Sequence, residues 1–297
     1  MLRLQAGDMV LELAPEVGGS IAAFYRQAGA VTEHWLRPAA PEALNRADPL
    51  GLASFPLLPW CNRLRDGRAQ ALGRRIVLPA GPAWPHALHG LGWRRPWQVL
   101  QAQADLAELA LQHTGPLQPG WPWAFSAWQR LRVRSDGLDC EMRLRNDSNA
   151  PMPCGLGHHP YFPHTPGTRL QCRVQAMWAS DAERLPTELQ QPAFLPRLAQ
   201  GLTLAELDLD NNFIGWDHRF RVSWPGRSEA LVLTAQPPLD FFVLYCPRGL
   251  DHFCAEPVSN CTDWLNLAGP REAVGGEVLG PGESLLARWA LQLEPGH

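Results

Sequence analysis

The sequence predicts an all-β protein built as one large sandwich of antiparallel sheets. Short apolar runs of about four to eight residues recur along the chain with turn residues between them, which is typical of sheet proteins. The 29 prolines and 26 glycines lie mostly between these runs. The segment 130–145 alternates apolar and charged residues on both sides of Asp136-Gly137, as two strands joined by a tight turn do. Sheets with one apolar face pack on each other, and this favours a sandwich.

The elements are predicted in chain order from the same patterns. Residues 9–13 and 20–25 are the first strand candidates, and residues 54–67 are predicted to form an ordered loop because prolines within them cannot donate ladder hydrogen bonds. Short helices are predicted only over 40–46 and 203–209. Further strands are predicted over 75–78, 97–102, 106–113, 170–177, 220–224, 230–235, 241–245, 252–255 and 285–293.

Length and composition indicate one domain, over residues 1–297. With 297 residues and 45% hydrophobic content, the chain can bury a single large core. The net charge of -3 gives no field that would attract nucleic acid or an anionic membrane, so a small neutral substrate is expected. The first residues lack an apolar signal core, and no run of about 18 apolar residues follows. A cytoplasmic protein without membrane partners is therefore expected.

Residue usage argues against several kinds of chemistry. The seven cysteines are odd in number and contain no C-x-x-C pair, so neither a disulfide framework nor a metal site is predicted. The chain contains no lysine, and all 26 basic residues are arginine. A Schiff base and a phosphate-binding GxxxxGK[ST] loop both need lysine, so both are excluded.

Two segments carry candidates for acid–base chemistry. The segment GLGHHPYF at 155–162 holds two adjacent imidazoles, His158 and His159, and histidine is the side chain whose ordinary pKa lies nearest neutrality. The alternative is a hydrogen-bonded histidine of the core. Glu256 ends an apolar strand and precedes Pro257, where a carboxylate is well placed as a base; the alternative is an exposed strand terminus.

Other polar residues are candidates for binding a substrate. Asn62 and Arg63 follow the Pro-rich loop and together offer the donors that sugar hydroxyls accept, although Arg63 could instead pair with Asp66 at the surface. His89 precedes a glycine, where the backbone can approach a ligand closely. Asp210 lies in a polar turn and could hold a hydroxyl or simply bond its own backbone.

In this order, the motifs resemble the aldose 1-epimerase (galactose mutarotase) family over nearly the whole chain. FPLLPWCNRLRDG is similar to the family's loop ending in Asn-Arg, ALHG to its LHG segment and HHPYF to its Asn-His-Ser-Tyr-Phe or His-Pro-Tyr-Phe. DNNF is similar to the family's Asp-His-Asn-Phe and AEP to its Glu-Pro. The resemblance implies a large antiparallel β-supersandwich. It implies an isomerase that interconverts the α and β anomers of a free hexose such as glucose or galactose, without a metal or redox cofactor.

The resemblance also assigns roles to residues. His159 would be the general acid and Glu256 the general base, with His159 entering as an imidazolium. His89, Arg63, Asn62 and Asp210 would bind the sugar, and His158 stands where many members have Asn. Where well-studied members carry a sugar-binding Gln, this chain has Gln236-Pro-Pro-Leu-Asp240, so Asp240 is expected to contact the sugar in its place.

Three other functions fit parts of the sequence. A hexose-phosphate mutarotase would grip its phosphate with arginines such as Arg74, Arg75, Arg94 or Arg95, which could equally be solvated charges at a sheet edge. A non-catalytic carbohydrate-binding sandwich would have lost its acid or base. A glycosidase would use Asp210 and Glu256 as a carboxylate pair about 5–10 Å apart.

Overall fold

A computed structural model describes residues 1–79, 85–115 and 120–296. Within these ranges most strands belong to two large antiparallel sheets, as predicted. One is nine-stranded, with the spatial order Gln98–Ala102, Leu106–His113, Phe125–Arg134, Gly137–Asn146, Ser284–Pro295, Glu229–Ala235, Arg219–Ser223, Arg169–Cys172 and Leu202–Thr203.

The second large sheet is eight-stranded. Seven strands follow the order Pro186–Gln190, Ala176–Ser180, Leu209–Ile214, Phe241–Cys246, His252–Val258, Gly157–His158 and Pro56–Leu57, and Tyr161–Pro163 pairs beside His252–Val258. A four-stranded N-terminal sheet contains Leu2–Ala6, Met9–Ala14, Ser20–Ala28 and Val31–His34. Two-stranded pairs join Met152–Cys154 to Glu277–Leu279, Arg63–Leu64 to Ala87–Leu88, and Arg68–Ala71 to Arg74–Val77.

The helices are short, and the sequence did not place them well. The α-helices are Leu195–Gln200 and Arg271–Val274, and the 3₁₀ turns are Pro49–Gly51, Arg65–Gly67, Gly92–Arg94 and Leu204–Glu206. The helix predicted over 40–46 is wrong, because this segment forms a series of turns. The helix predicted over 203–209 is only one 3₁₀ turn between two strands. Within the described ranges, no helix combines the length and apolarity needed to cross a membrane.

The hairpin predicted at 130–145 is confirmed and is longer than expected. Phe125–Arg134 pairs antiparallel with Gly137–Asn146, and Arg132 lies opposite Asp139. On the polar face, Arg134 binds Asp139 across the hairpin, whereas Arg132 binds Asp105, directly before the neighbouring strand, at 2.7 Å. Arg130 likewise lies 3.4 Å from Glu108.

The main core lies between the two large sheets, and period-two alternation decides which residues enter it. On strand His252–Val258, Phe253 and Ala255 are fully buried in this core. The intervening Cys254 packs in a smaller cluster on the opposite face of the sheet. Since successive side chains of a strand point to opposite faces, Glu256 lies on that second face as well.

Candidate active site

Three neighbouring strands of the eight-stranded sheet present polar side chains on the face turned away from the main core. In the register, Asp210 lies opposite Tyr245, and Tyr245 lies opposite Cys254. Glu256 is paired with Val243 one step along the same face. Residues far apart in sequence therefore meet because cross-strand partners share a face.

The two adjacent histidines point in opposite directions, as successive residues of an extended chain do. The His158 ring lies between the sheets, bonded to Ser54 Oγ through Nδ1 and to Gln129 Oε1 at 3.0 Å through Nε2. Burial lowers the pKa of His158 to about 3, so this ring is neutral. His159 faces the other way, into a pocket. His158 is thus a hydrogen-bonded histidine of the core.

A stack of planar groups holds the His159 ring. Phe55 and Tyr161 each pack against the imidazole with ring centres 4.7 Å apart, and their planes are tilted by 26° and 28° from the plane of the imidazole. Trp93 extends the stack behind Phe55 at 5.2 Å. Such packing fixes the orientation of the imidazole, which is what a side chain that transfers protons needs.

The pocket has a volume of about 360 Å³, which is within the range of small-molecule sites. Six of the seven residues predicted from the sequence line it, namely Asn62, Arg63, His89, His159, Asp210 and Glu256. They come from separate loops and strands, and the fold brings them to one place.

His159 and Glu256 form the centre of the pocket. His159 Nε2 lies 3.4 Å from Glu256 Oε1, and both side chains are almost fully buried. Glu256 Oε2 and His159 Nδ1 have no hydrogen-bond partner among the described residues. Buried polar atoms normally have partners, so unpartnered ones beside a pocket are groups that a ligand can satisfy.

Burial shifts both pKa values toward the uncharged forms. Burial, and to a lesser degree the charge of Asp210, raises the pKa of Glu256 well above its ordinary value. Burial lowers the pKa of His159 to about 3. Burial therefore favours the form of the pair in which the shared proton lies on Glu256. The imidazolium form expected for His159 is disfavoured in the protein alone, because desolvation opposes that charge.

Arg63 is fixed by two polar neighbours inside the pocket. Its Nη2 donates to Asp210 Oδ2 at 2.9 Å, and its Nη1 donates to Asn62 Oδ1 at 3.1 Å. The Arg63 and Asp210 side chains are only 14% and 12% exposed, so this ion pair is part of the pocket and the predicted alternative with Asp66 does not form. A guanidinium held by two separate partners in this way is preorganised as a donor.

Two lining residues adopt left-handed backbone conformations, which non-glycine residues rarely use. The φ angles are 60° for Asn62 and 59° for His89. His89 is followed by Gly90, where a Cβ would meet the Leu58 carbonyl oxygen at 1.9 Å. This glycine thus permits close approach of two backbone segments. Strain of this kind is common at functional sites.

Asp240 is the predicted site residue that the structure does not bring into the pocket. It lines a second cavity, of about 490 Å³, and its Oδ1 accepts from His218 Nε2 at 2.8 Å. The reason is again alternation, because Phe241 and not Asp240 belongs to the apolar cluster behind the pocket. The arginines considered for a phosphate also lie elsewhere: Arg74 donates to Pro122 O.

Sequence reasoning missed four polar residues of the pocket wall, namely Arg37, Tyr161, Tyr245 and His252. Three of them carry a usable signal. Tyr161 and Tyr245 are two of only three tyrosines in the chain. His252 is the first residue of the strand His252–Val258. Side chains of a strand alternate between its faces, and His252 and Glu256 are an even number of positions apart, so both lie on one face. Arg37 has no such signal in the sequence.

The His158 network leads to a prediction about stability. We expect His158→Ala to destabilise the fold by about 3 kcal/mol, since it removes a packed ring and leaves Ser54 and Gln129 without their partner. Urea unfolding followed by tryptophan fluorescence measures the change. A variant as stable as the wild type would show that the network contributes nothing.

The geometry can be compared with known proteins. The sequence profile of the aldose 1-epimerase family matches residues 1–292. The uncharacterized Escherichia coli K12 protein YphB is 28% identical over 311 aligned positions, covering 98% of both chains. A galactose mutarotase-like protein from Clostridium acetobutylicum has a TM-score of 0.88 at 20% identity, covering 99% of this chain and 95% of its own.

A galactose 1-epimerase from Lactobacillus acidophilus also has this fold, with a TM-score of 0.76 at 16% identity over 99% of this chain and 93% of its own. These structures share the galactose mutarotase-like sandwich. The chain belongs to the aldose 1-epimerase family, because the match to its profile covers nearly the whole sequence.

Proposed function

We propose that the protein is an aldose 1-epimerase, which interconverts the α and β anomers of an aldose such as glucose or galactose by opening and closing the ring. The observation that carries this proposal is the His159–Glu256 pair, with 3.4 Å between Nε2 and Oε1 inside a pocket of hexose size. Mutarotation needs one group that accepts a proton and one that donates a proton, on two neighbouring oxygens of one ring.

The proposed reaction uses the two side chains in turn. Glu256 takes the proton of the anomeric hydroxyl while His159 gives a proton to the ring oxygen, and the C1–O5 bond breaks to leave an open-chain aldehyde. Rotation about C1–C2 presents the other face of the carbonyl. The ring then closes as His159 takes the proton from O5 and Glu256 returns a proton to O1. Arg63, Asn62, His89 and Asp210 hold the hydroxyl groups.

The His159–Glu256 pair can carry out this reaction because one shared proton can lie either on Glu256 or on His159. A protonated Glu256 beside a neutral His159 contains as many protons as a carboxylate beside an imidazolium. The neutral arrangement is favoured by burial. Hydrogen bonds from sugar hydroxyls to the unpartnered Glu256 Oε2 would stabilise the carboxylate and so favour the charged arrangement.

This proton count predicts a broad pH profile. A second proton is taken up only below neutrality, because burial lowers the pKa of His159 to about 3, and the shared proton is lost only well above the ordinary pKa of Glu256. We expect kcat/KM to show no step at the ordinary pKa of histidine. Polarimetry in a series of buffers measures this. A decline centred near pH 6.5 would show that His159 titrates alone.

The direct test of the proposed function is polarimetry of fresh α-glucose and α-galactose with purified protein. We expect the approach to equilibrium to accelerate in proportion to protein concentration. No acceleration with either sugar, or with any aldose in a panel of free and phosphorylated sugars, would refute the proposal. Release of nitrophenol from aryl glycosides would instead indicate a glycosidase.

A further inference from the structure

Among the described residues, Arg37 is a charged residue of the pocket wall that forms no ion pair. Arg63 pairs with Asp210, and His159 lies against Glu256. The guanidinium of Arg37 also lines the pocket, but no described carboxylate forms an ion pair with it, and its hydrogen bonds go to carbonyl oxygens. Arg37 therefore gives the wall a positive charge that has no ion-pair partner in the part of the chain that the structure describes.

Arg37 is held in place as a binding group would be. Its Nη2 donates to the carbonyl oxygens of Leu50 and Leu52 at 2.6 and 2.8 Å. The guanidinium lies 3.9 Å from the centre of the Tyr161 ring, and the backbone N–H of Arg37 donates to Tyr161 O at 2.8 Å. Its Nε and Nη1 make no hydrogen bond to the described residues. The side chain is thus held in a fixed orientation, and its Nε and Nη1 remain available to donate to a ligand.

Tyr161 also fixes how far Arg37 lies from the proposed acid. The imidazole of His159 stacks on the same Tyr161 ring at 4.7 Å, so the guanidinium carbon is at most about 9 Å from the centre of the imidazole. In a pyranose, only C5 and C6 separate the ring oxygen from a group carried on C6. A sugar whose ring oxygen faces His159 can therefore place that group at Arg37.

The positive charge of Arg37 acts on two neighbouring histidines. Burial is the main cause of the low pKa of His159, and Arg37 lowers it further. Burial also lowers the pKa of His252, and Arg37 adds to this although Asp251 opposes it. An anion bound at Arg37 would offset its effect on His159 and favour the imidazolium that the ring-opening step uses.

We propose that Arg37 forms a subsite for an anionic group at C6 of the aldose, a carboxylate or a phosphate ester. The inference rests on the proposed mutarotase function and names its substrate class as acidic aldoses. The carboxylate of a uronic acid and the phosphate of a hexose 6-phosphate share the chemistry that a fork of guanidinium donors recognises.

The test compares acidic with neutral sugars. Mutarotation of glucose, glucuronate and glucose 6-phosphate is measured by polarimetry with the wild type, with Arg37→Ala and with Arg37→Lys. We expect the wild type to prefer one of the two acidic sugars, and Arg37→Ala to lower the ratio of kcat/KM for acidic over neutral sugar by about 10- to 100-fold, mainly through KM. Arg37→Lys, which keeps the charge without the fork, should restore part of the ratio.

Controls separate this inference from the proposed function. Arg46→Gln removes an exposed arginine that pairs with Glu42 and should leave the ratio unchanged. The subsite is refuted, while the mutarotase proposal stands, if the wild type has the same kcat/KM for glucose and for both acidic sugars and Arg37→Ala leaves the ratio of these values unchanged. If no sugar is accelerated, the mutarotase proposal fails, and calorimetric titration with glucuronate still tests the subsite.

A further measurement needs no variant and so remains informative if Arg37→Ala does not fold. For the wild type, kcat/KM for the preferred acidic sugar should fall from low to high salt, while that for glucose should not, because salt screens the attraction between guanidinium and anion. Equal salt dependence for both sugars would contradict the subsite.

Discussion

Glu256→Gln is expected to abolish the acceleration of mutarotation, with kcat reduced by about 10²–10⁴-fold. The amide matches the carboxyl in shape but cannot accept the proton of the anomeric hydroxyl. Sugar binding should persist, because Arg63, Asn62, His89 and Asp210 remain in the pocket. Polarimetry gives the rate, and calorimetric titration gives the affinity. A variant with wild-type activity would overturn the assignment of Glu256 as the base.

The stability of this variant provides a control on its folding. Burial raises the pKa of Glu256, so its stabilising contribution is fully present below the ordinary pKa of the carboxyl and is lost as pH rises through the raised value. A glutamine side chain does not ionise, so the variant does not lose this stability as pH rises. We therefore expect Glu256→Gln to unfold at the same temperature as the wild type or higher at neutral pH. As a matched control, Glu42→Gln at an exposed site should keep full activity.

His159→Gln is expected to cause a loss of kcat of similar size. The variant keeps a polar side chain in the pocket but cannot give a proton to the ring oxygen or take it back during ring closure. Since the two side chains act as a unit, the double variant with Glu256→Gln should be hardly slower than either single variant. Polarimetry on the three proteins measures this non-additivity. If the loss of kcat in the double variant equals the product of the two single losses, the two side chains contribute to catalysis independently.

The control for this variant is a histidine outside the pocket. His218 binds Asp240 at 2.8 Å and lies beside the second cavity. His218→Gln removes a histidine by the same substitution and should leave the rate of mutarotation unchanged. Equal losses of kcat in His218→Gln and His159→Gln would mean that the loss in His159→Gln is not evidence for His159 as the general acid.

The sequence predicted the sheets well because alternation of apolar and polar residues is a local property. The hairpin over 125–146 follows from that alternation and from Asp136-Gly137 at its turn. The helix over 40–46 was wrong because apolar spacing in so short a segment does not distinguish a helix from successive turns.

The candidate site was predicted mostly from motifs, and the exceptions have a common physical cause. Six predicted residues meet in the pocket, but Asp240 points to another cavity because a shift of one residue changes the face of a strand. Arg37 was missed because its approach to Tyr161 is a contact over more than a hundred residues.

The sequence by itself determined the sheet architecture and the resemblance that selects His159 and Glu256. Only the tertiary structure decided that these two side chains lie 3.4 Å apart, that His158 belongs to the core and that Arg37 has no carboxylate partner among the described residues. Register and packing between distant strands set these distances, and the same burial sets the pKa shifts of the pair. No pattern along the chain specifies any of them.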